Sequence, residues 1–166
     1  MEIALYKPEI PPNTGNISRL SVCTGSRLHI IGKPSFSMDE ASVRRAGLDY
    51  WDRLDLHLHE DWDEFLKCVS RGRCESRTIL LLSKYGNRPY VAHRYERDDI
   101  LVFGRETSGL PDFILKSIGA THPERILRIP VVDDCRSLNL SNAVAVVLYE
   151  ALRQQDFVGL KPSHDG

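Results

Sequence analysis

The stretch RSLNLSNAVAVVLYEA, residues 136–151, joins a cluster of polar side chains to an apolar helix. Leu140, Val144, Val147, Leu148 and Ala151 recur at spacings of three and four, so they share one helical face. Ahead of them, RSLNLSN gathers a guanidinium, two hydroxyls and two amides into one turn region. The start of a buried helix is rigid, and its unbonded N–H groups face whatever lies in front. The stretch reads either as the support of a ligand site or as a capped core helix, with Ser141 or Asn142 as the cap.

The segment RILRIPVV (125–132) leads into it as a strand, and the loop DDCRS joins the two. Further back, strands and helices alternate. EIALY (2–6), RLHIIG (27–32), LDLHLH (54–59), TILLL (78–82) and DILVFG (99–104) read as strands. A helix is expected from about Thr14 to Thr24, with Gly25 as its stop. Ser37-Met38-Asp39-Glu40 forms a capping-box pattern that opens a helix ending at Gly47. Asp61 begins another helix with Phe65, Leu66 and Val69 turned inward, and Pro111 stands where a short helix to Gly119 begins. Leu54, Leu56 and Leu58 alternate with Asp55, His57 and His59, so both histidines are expected to face outward. The pattern is α/β: a mostly parallel sheet of about six strands with helices on both faces.

At 166 residues, 42% apolar and 27% charged, the chain fits one soluble globular domain, set at 1–156, with 157–166 as a mobile tail. No apolar run nears the roughly 20 residues of a membrane span, and MEIALYKPEI lacks the layout of a signal peptide. Cys23, Cys68, Cys74 and Cys135 form no CxxC pair and no zinc spacing, so reduced, buried thiols and no metal are expected. A net charge of −1 excludes nucleic-acid binding by bulk charge. Sixteen of the 22 basic residues are arginine, though, and arginine suits phosphate geometry. The groups Arg44-Arg45, Arg71/Arg73/Arg77 and Arg88/Arg94/Arg97 read first as solvated helix ends.

In parallel sheets, ligands sit beyond the carboxyl ends of the strands. Three loops leave those ends: Ser83–Pro89, Gly104–Pro111 and Val132–Asn139. In GRETSGLP (104–111), the glycines allow close backbone approach, and Glu106 can accept from a ligand or anchor a neighbouring loop. In NTGNISRL (13–20), Asn13 and Asn16 offer amides at a helix start, and Arg19 can hold a phosphate or carboxylate or form a surface ion pair. The three prolines of KPEIPP make the preceding loop stiffer than a simple connection requires. Fingerprints for dinucleotides, P-loops, nucleophile elbows and zinc proteases are absent.

NTGNISRL, FGRETSGLP and RIPVVDDCRSLNLSNAVAVVLYEA, in this order, resemble the three signature motifs of the SPOUT superfamily of RNA methyltransferases. LYKPEIPPNTGNISRL, RLHIIG and RRAGLDYW bring the likeness closer to the TrmL (YibK) type, small tRNA 2′-O-methyltransferases acting on the wobble nucleotide. The likeness runs from about residue 1 to 155. It implies a C-terminal trefoil knot, bent S-adenosylmethionine in the knotted loops, and a cytoplasmic homodimer that binds tRNA. It implies cofactor contacts at Leu82, Gly104, Ile129, Ser137 and Leu138, and catalytic positions at Asn13, Arg19, Glu106, Ser137 and Asn139. Arg136 and Arg19 would hold RNA, with Arg19 reaching the partner's donor site. Arg105 and Ser108 stand where close relatives often have Pro and Arg, which affects RNA contacts near that loop. Three other readings remain open at this point: 2′-O-methylation of another RNA, ribosomal or at a different tRNA position; a non-catalytic RNA-binding protein with the same fold; and a nucleotide-binding α/β protein of other chemistry.

Overall fold

The computed structural model describes residues 1–37, 51–70 and 77–161. Seven parallel strands form one sheet in the order β3-β2-β1-β6-β4-β7-β5. They are β1 (Glu2–Tyr6), β2 (Arg27–Ile31), β3 (Leu56–His59), β4 (Ile79–Leu82), β5 (Arg88–Pro89), β6 (Ile100–Phe103) and β7 (Ile126–Arg128). Among the described residues the α-helices are α1 (Pro11–Thr24), α2 (Trp62–Ser70), α3 (Asp112–Gly119) and α4 (Leu140–Arg153). The α/β expectation holds, with one more strand than expected. The addition is the two-residue β5, which has too few residues to leave a periodic signal.

Hydrophobic layers lie on both sides of the sheet. On one, Ile3, Leu5, Leu28, Ile30, Leu101 and Phe103 meet Ile17 of α1 and Val144, Val147, Leu148 and Ala151 of α4. The face read from residues 140–151 is therefore the face that packs. On the other side, Ala4, Tyr6, Ile31, Leu81 and Val102 meet Trp62, Phe65 and Val69 of α2 and Ile114 of α3. Strands buried on both faces read as unbroken apolar runs, which is why ILLL and ILVF were legible.

Several details differ from the expectations. Helix α1 begins at Pro11, not Thr14, because proline suits the first helical turn, where its missing N–H has no partner to lose. Strand β7 stops at Arg128 instead of continuing to residue 132, and Pro130 lies in the part that leaves the ladder. Of the two β3 histidines, His59 is buried, whereas the His57 side chain is 40% exposed; on the opposite face Leu54 and Leu56 are partly buried against the α1/α4 core and Leu58 is 64% exposed. His29 on β2 meets His59 and holds it inside, which alternation alone does not encode. Cys23, Cys68 and Cys135 are free and exposed rather than buried. The helix expected to end at Gly47, most of RRAGLDYW, the Arg44-Arg45 pair, Arg71, Arg73 and Cys74 lie outside the described residues. Of the described tail, Phe157 and Leu160 are half-buried against the α1/α4 side of the core.

Candidate active site

The loops after β4, β6 and β7 converge on the start of α1. They enclose a cavity of about 600 Å³, within the range of small-molecule sites. Leu82, Gly104, Ile129, Ser137 and Leu138 all line it, as do Asn13, Glu106, Arg136 and Asn139. Arg19 does not. It sits on α1, exposed, six residues past Asn13 and so roughly 9 Å further along the helix axis.

A chain of hydrogen bonds ties the loops together. Asn139 caps α4, its side-chain oxygen accepting from the N–H groups of Ser141 and Asn142. The cap is therefore Asn139 and not Ser141 or Asn142, and those two N–H groups bond to it rather than facing the cavity unbonded. The Asn139 amide donates to Asn13 Oδ1 at 2.9 Å, 126 residues away in sequence. Asn13 Nδ2 donates to Glu106 Oε1 at 3.1 Å. Glu106 also accepts from the backbone N–H of Glu9 at 2.9 Å and of Ile10 at 3.1 Å. Glu9 closes the clasp, accepting from the Thr107 backbone N–H at 3.1 Å and its hydroxyl at 2.7 Å.

This geometry gives Glu106 the loop-anchoring role of the two its sequence position allowed. Both its oxygens face donors from the loop before α1. No acidic residue stands in the first turn of α1, so Glu106 also supplies, from another loop, the negative charge that a helix N-terminus favours. Glu9 and Thr107 were not singled out from the sequence; the only trace was the stiffness of KPEIPP.

Gly104 is required by close packing. A Cβ there would lie 2.3 Å from the backbone of Gly109 and Leu110, where the loop folds back on itself. Gly109 N–H donates to the Arg105 carbonyl at 3.1 Å and closes that turn. The wall carries Lys84, Arg105, Arg128 and Arg136 against one carboxylate, Glu106. A chain of net charge −1 thus presents a locally cationic cavity.

Fold and site together define a class: an open, all-parallel α/β protein whose ligand cavity is built by three knitted loops at the carboxyl ends of its strands. The SpoU rRNA Methylase family matches residues 1–149, and the chain belongs to it. The tRNA (cytidine(34)-2'-O)-methyltransferase of Escherichia coli K12 is 46% identical over 159 residues, covering 96% of each chain. That of Yersinia pestis is 43% identical over 159 residues, again covering 96% of each. A solved structure described as giving structural insights into the 2-OH methylation of C/U34 on tRNA superposes with a TM-score of 0.82 at 37% identity, covering 93% of this chain and 95% of that one. AviRb from Streptomyces viridochromogenes, solved in complex with AdoMet, shares the fold at 22% identity and a TM-score of 0.82 over 94% of this chain and 60% of its own.

Proposed function

We propose that the protein transfers a methyl group from S-adenosylmethionine to the ribose 2′-hydroxyl at position 34 of tRNA, a cytidine or modified uridine. One observation supports this most: the five residues that the SPOUT resemblance assigns to the methyl donor line one cavity, in a chain nearly half identical to a named enzyme of that activity. The cavity suits such a group in size and in its mix of apolar walls (Leu82, Ile129, Leu138) with polar loop backbone. When bound, S-adenosylmethionine supplies an electrophilic methyl group on a sulfonium.

The acceptor hydroxyl is a poor nucleophile and must lose its proton as the bond forms. Holding it in line supplies much of the acceleration. Ser137 at the cavity wall fixes the ribose, and Arg136 grips the RNA phosphate. Arg19 orients phosphate and polarises the hydroxyl; a guanidinium does not deprotonate, so its part is positional. Asn13, Glu106 and Asn139 act one step back, holding the loops in register through the bonds described above.

Arg19 lies outside its own cavity, which fits a homodimer in which it reaches the cavity of the partner subunit. The exposed apolar residues Val146, Tyr149 and Val158 suit such a contact. The same reading carries the C-terminal trefoil knot and a cytoplasmic location; among the described residues, no helix is long and apolar enough to cross a membrane.

The deciding experiment incubates the protein with labelled S-adenosylmethionine and tRNA from cells lacking this methylation, then digests the RNA and locates the label by mass spectrometry. A 2′-O-methyl at nucleotide 34 is expected. Label confined to another position or to ribosomal RNA would replace the substrate, and cofactor binding without any transfer would overturn the assignment. Arg19→Lys should lower turnover far more than cofactor affinity, and equal losses would count against its assigned role.

A further inference from the structure

We infer that Lys7 and Arg105 form a phosphate-binding pair for the RNA backbone beside the cavity, an inference that rests on the RNA-methylation reading above. Tyr6 ends β1, with its ring buried. Lys7 Nζ lies 5.7 Å from the ring centroid and the Arg105 guanidinium carbon 5.6 Å from it. Phe113 of α3 meets the same ring edge-on at 6.2 Å and fixes its tilt. Both cations thus reach the ring of Tyr6.

Neither cation has an ion-pair partner among the described residues. Arg105 Nε is also buried without a hydrogen-bond partner. A ring quadrupole attracts each cation only weakly, so the charge of each remains available to an anion.

The position of Lys7 is built in. Its φ is 43°, in the left-handed region that favours glycine. Its N–H donates to the Ile31 carbonyl at 2.8 Å, which holds that backbone. Its side chain lies across Gly32, where a Cβ would stand 2.7 Å from Lys7 Cε. A strained backbone maintained to aim an unpaired cation points to a ligand more than to packing.

The chemistry of that ligand follows from its neighbours. Arg105 itself lines the cavity, and the wall is already cationic, with its one carboxylate engaged by the loop before α1. A ribose whose 2′-hydroxyl enters the cavity carries a phosphate on each side along the RNA chain. The planar guanidinium matches phosphate oxygens two at a time, and the ammonium at the same tyrosine ring adds a compact charge. With a net charge of −1 on the chain, RNA attraction must come from such local pairs.

The test compares tRNA binding of the wild type, Lys7→Gln, Arg105→Gln and Lys7→Arg across a salt series, with cofactor affinity measured without RNA. Each glutamine substitution should flatten the slope of log affinity against log salt by about 0.7–0.9 and raise the KM for tRNA. Lys7→Arg should restore the slope, and Lys7→Gln should leave cofactor affinity and melting temperature unchanged. Unaltered slopes in an enzyme that methylates tRNA would overturn the pair alone. A wild type that neither binds nor methylates RNA would remove the RNA-methylation reading and this inference with it.

Discussion

Two polar networks sit in this molecule, and they are built of different chemistry. One lies between the sheet and α2. Glu2 there receives Arg27 at 3.3 Å and Arg77 at 3.4 Å, and its other oxygen meets His29 Nε2 at 2.9 Å. His29 Nδ1 in turn lies 2.8 Å from His59 Nε2, and Phe65 packs edge-on against both rings. The second is the loop network of Asn139, Asn13, Glu106, Glu9 and Thr107. The first is buried and contains imidazoles, of which burial holds His59 below its ordinary value. The second joins amides, backbone N–H groups and two carboxylates, and it contains no imidazole. The protein thus keeps its histidine pairing between the sheet and α2, and the network at its candidate site is built without histidine.

That contrast can be broken from either side. The largest stability effect is expected from Phe65→Ala, which removes a fully buried ring packed on Trp62, His29 and His59. Denaturant unfolding should show a loss of about 3–5 kcal/mol, with turnover per folded molecule unchanged. A large turnover defect would mean that the two networks are coupled. Gly104→Ala comes next, because its methyl would meet loop backbone at 2.3 Å. It should cost about 3 kcal/mol and weaken cofactor binding in calorimetry, whereas wild-type affinity would show that the loop can open.

Glu106→Gln should invert the Phe65 pattern. It leaves one acceptor oxygen facing donors from Glu9, Ile10 and Asn13. Stability should fall by about 1–2 kcal/mol, while turnover falls by a larger factor than the melting shift accounts for. Loss of stability alone would make the clasp a purely structural element.

The smallest effect is a pH dependence. His59 is held below its ordinary value of 6.5, first by burial and then by the charge of His29. The unfolded chain therefore takes up a proton that the folded chain resists. Stability present above about pH 6.5 is lost as pH falls through the folded value of His59. Glu2 acts lower in the scale. Burial opposes its charge, but the hydrogen bond from His29 and the charges of His29, Arg77 and Arg27 outweigh it and hold the carboxyl below 4.5. Its contribution is complete above about pH 4.5 and disappears as pH falls through the lowered value. His59→Gln should remove the upper step and leave the lower one. An unchanged upper step would assign it to another group.

The loop network also separates what the sequence encodes locally from what it does not. Residues 140–151 announced their buried face because helical periodicity is a short-range property of the chain. Residues 79–82 and 100–103 announced buried strands because apolar runs are equally local, and the loops after them marked the end of the sheet where the cavity lies. The three motifs carried the family resemblance because their order and residue types are written in the chain itself.

What sequence could not give is which side chains meet. Asn139 and Asn13 are 126 residues apart, and Glu106 and Glu9 are 97 apart. No local rule pairs them, so the assignment of Glu106 as a loop anchor waited for the folded backbone. The same holds for His59. Alternation fixes that it shares a face with His57, but only its packing against His29 and Phe65 buries His59 while His57 stays partly exposed. Composition and periodicity set the elements, because each depends on neighbours within a few residues. Tertiary structure set the burial of His59 and the clasp around the cavity, because each depends on hydrogen bonds or contacts between segments that only the completed sheet brings within about 3 Å or van der Waals reach.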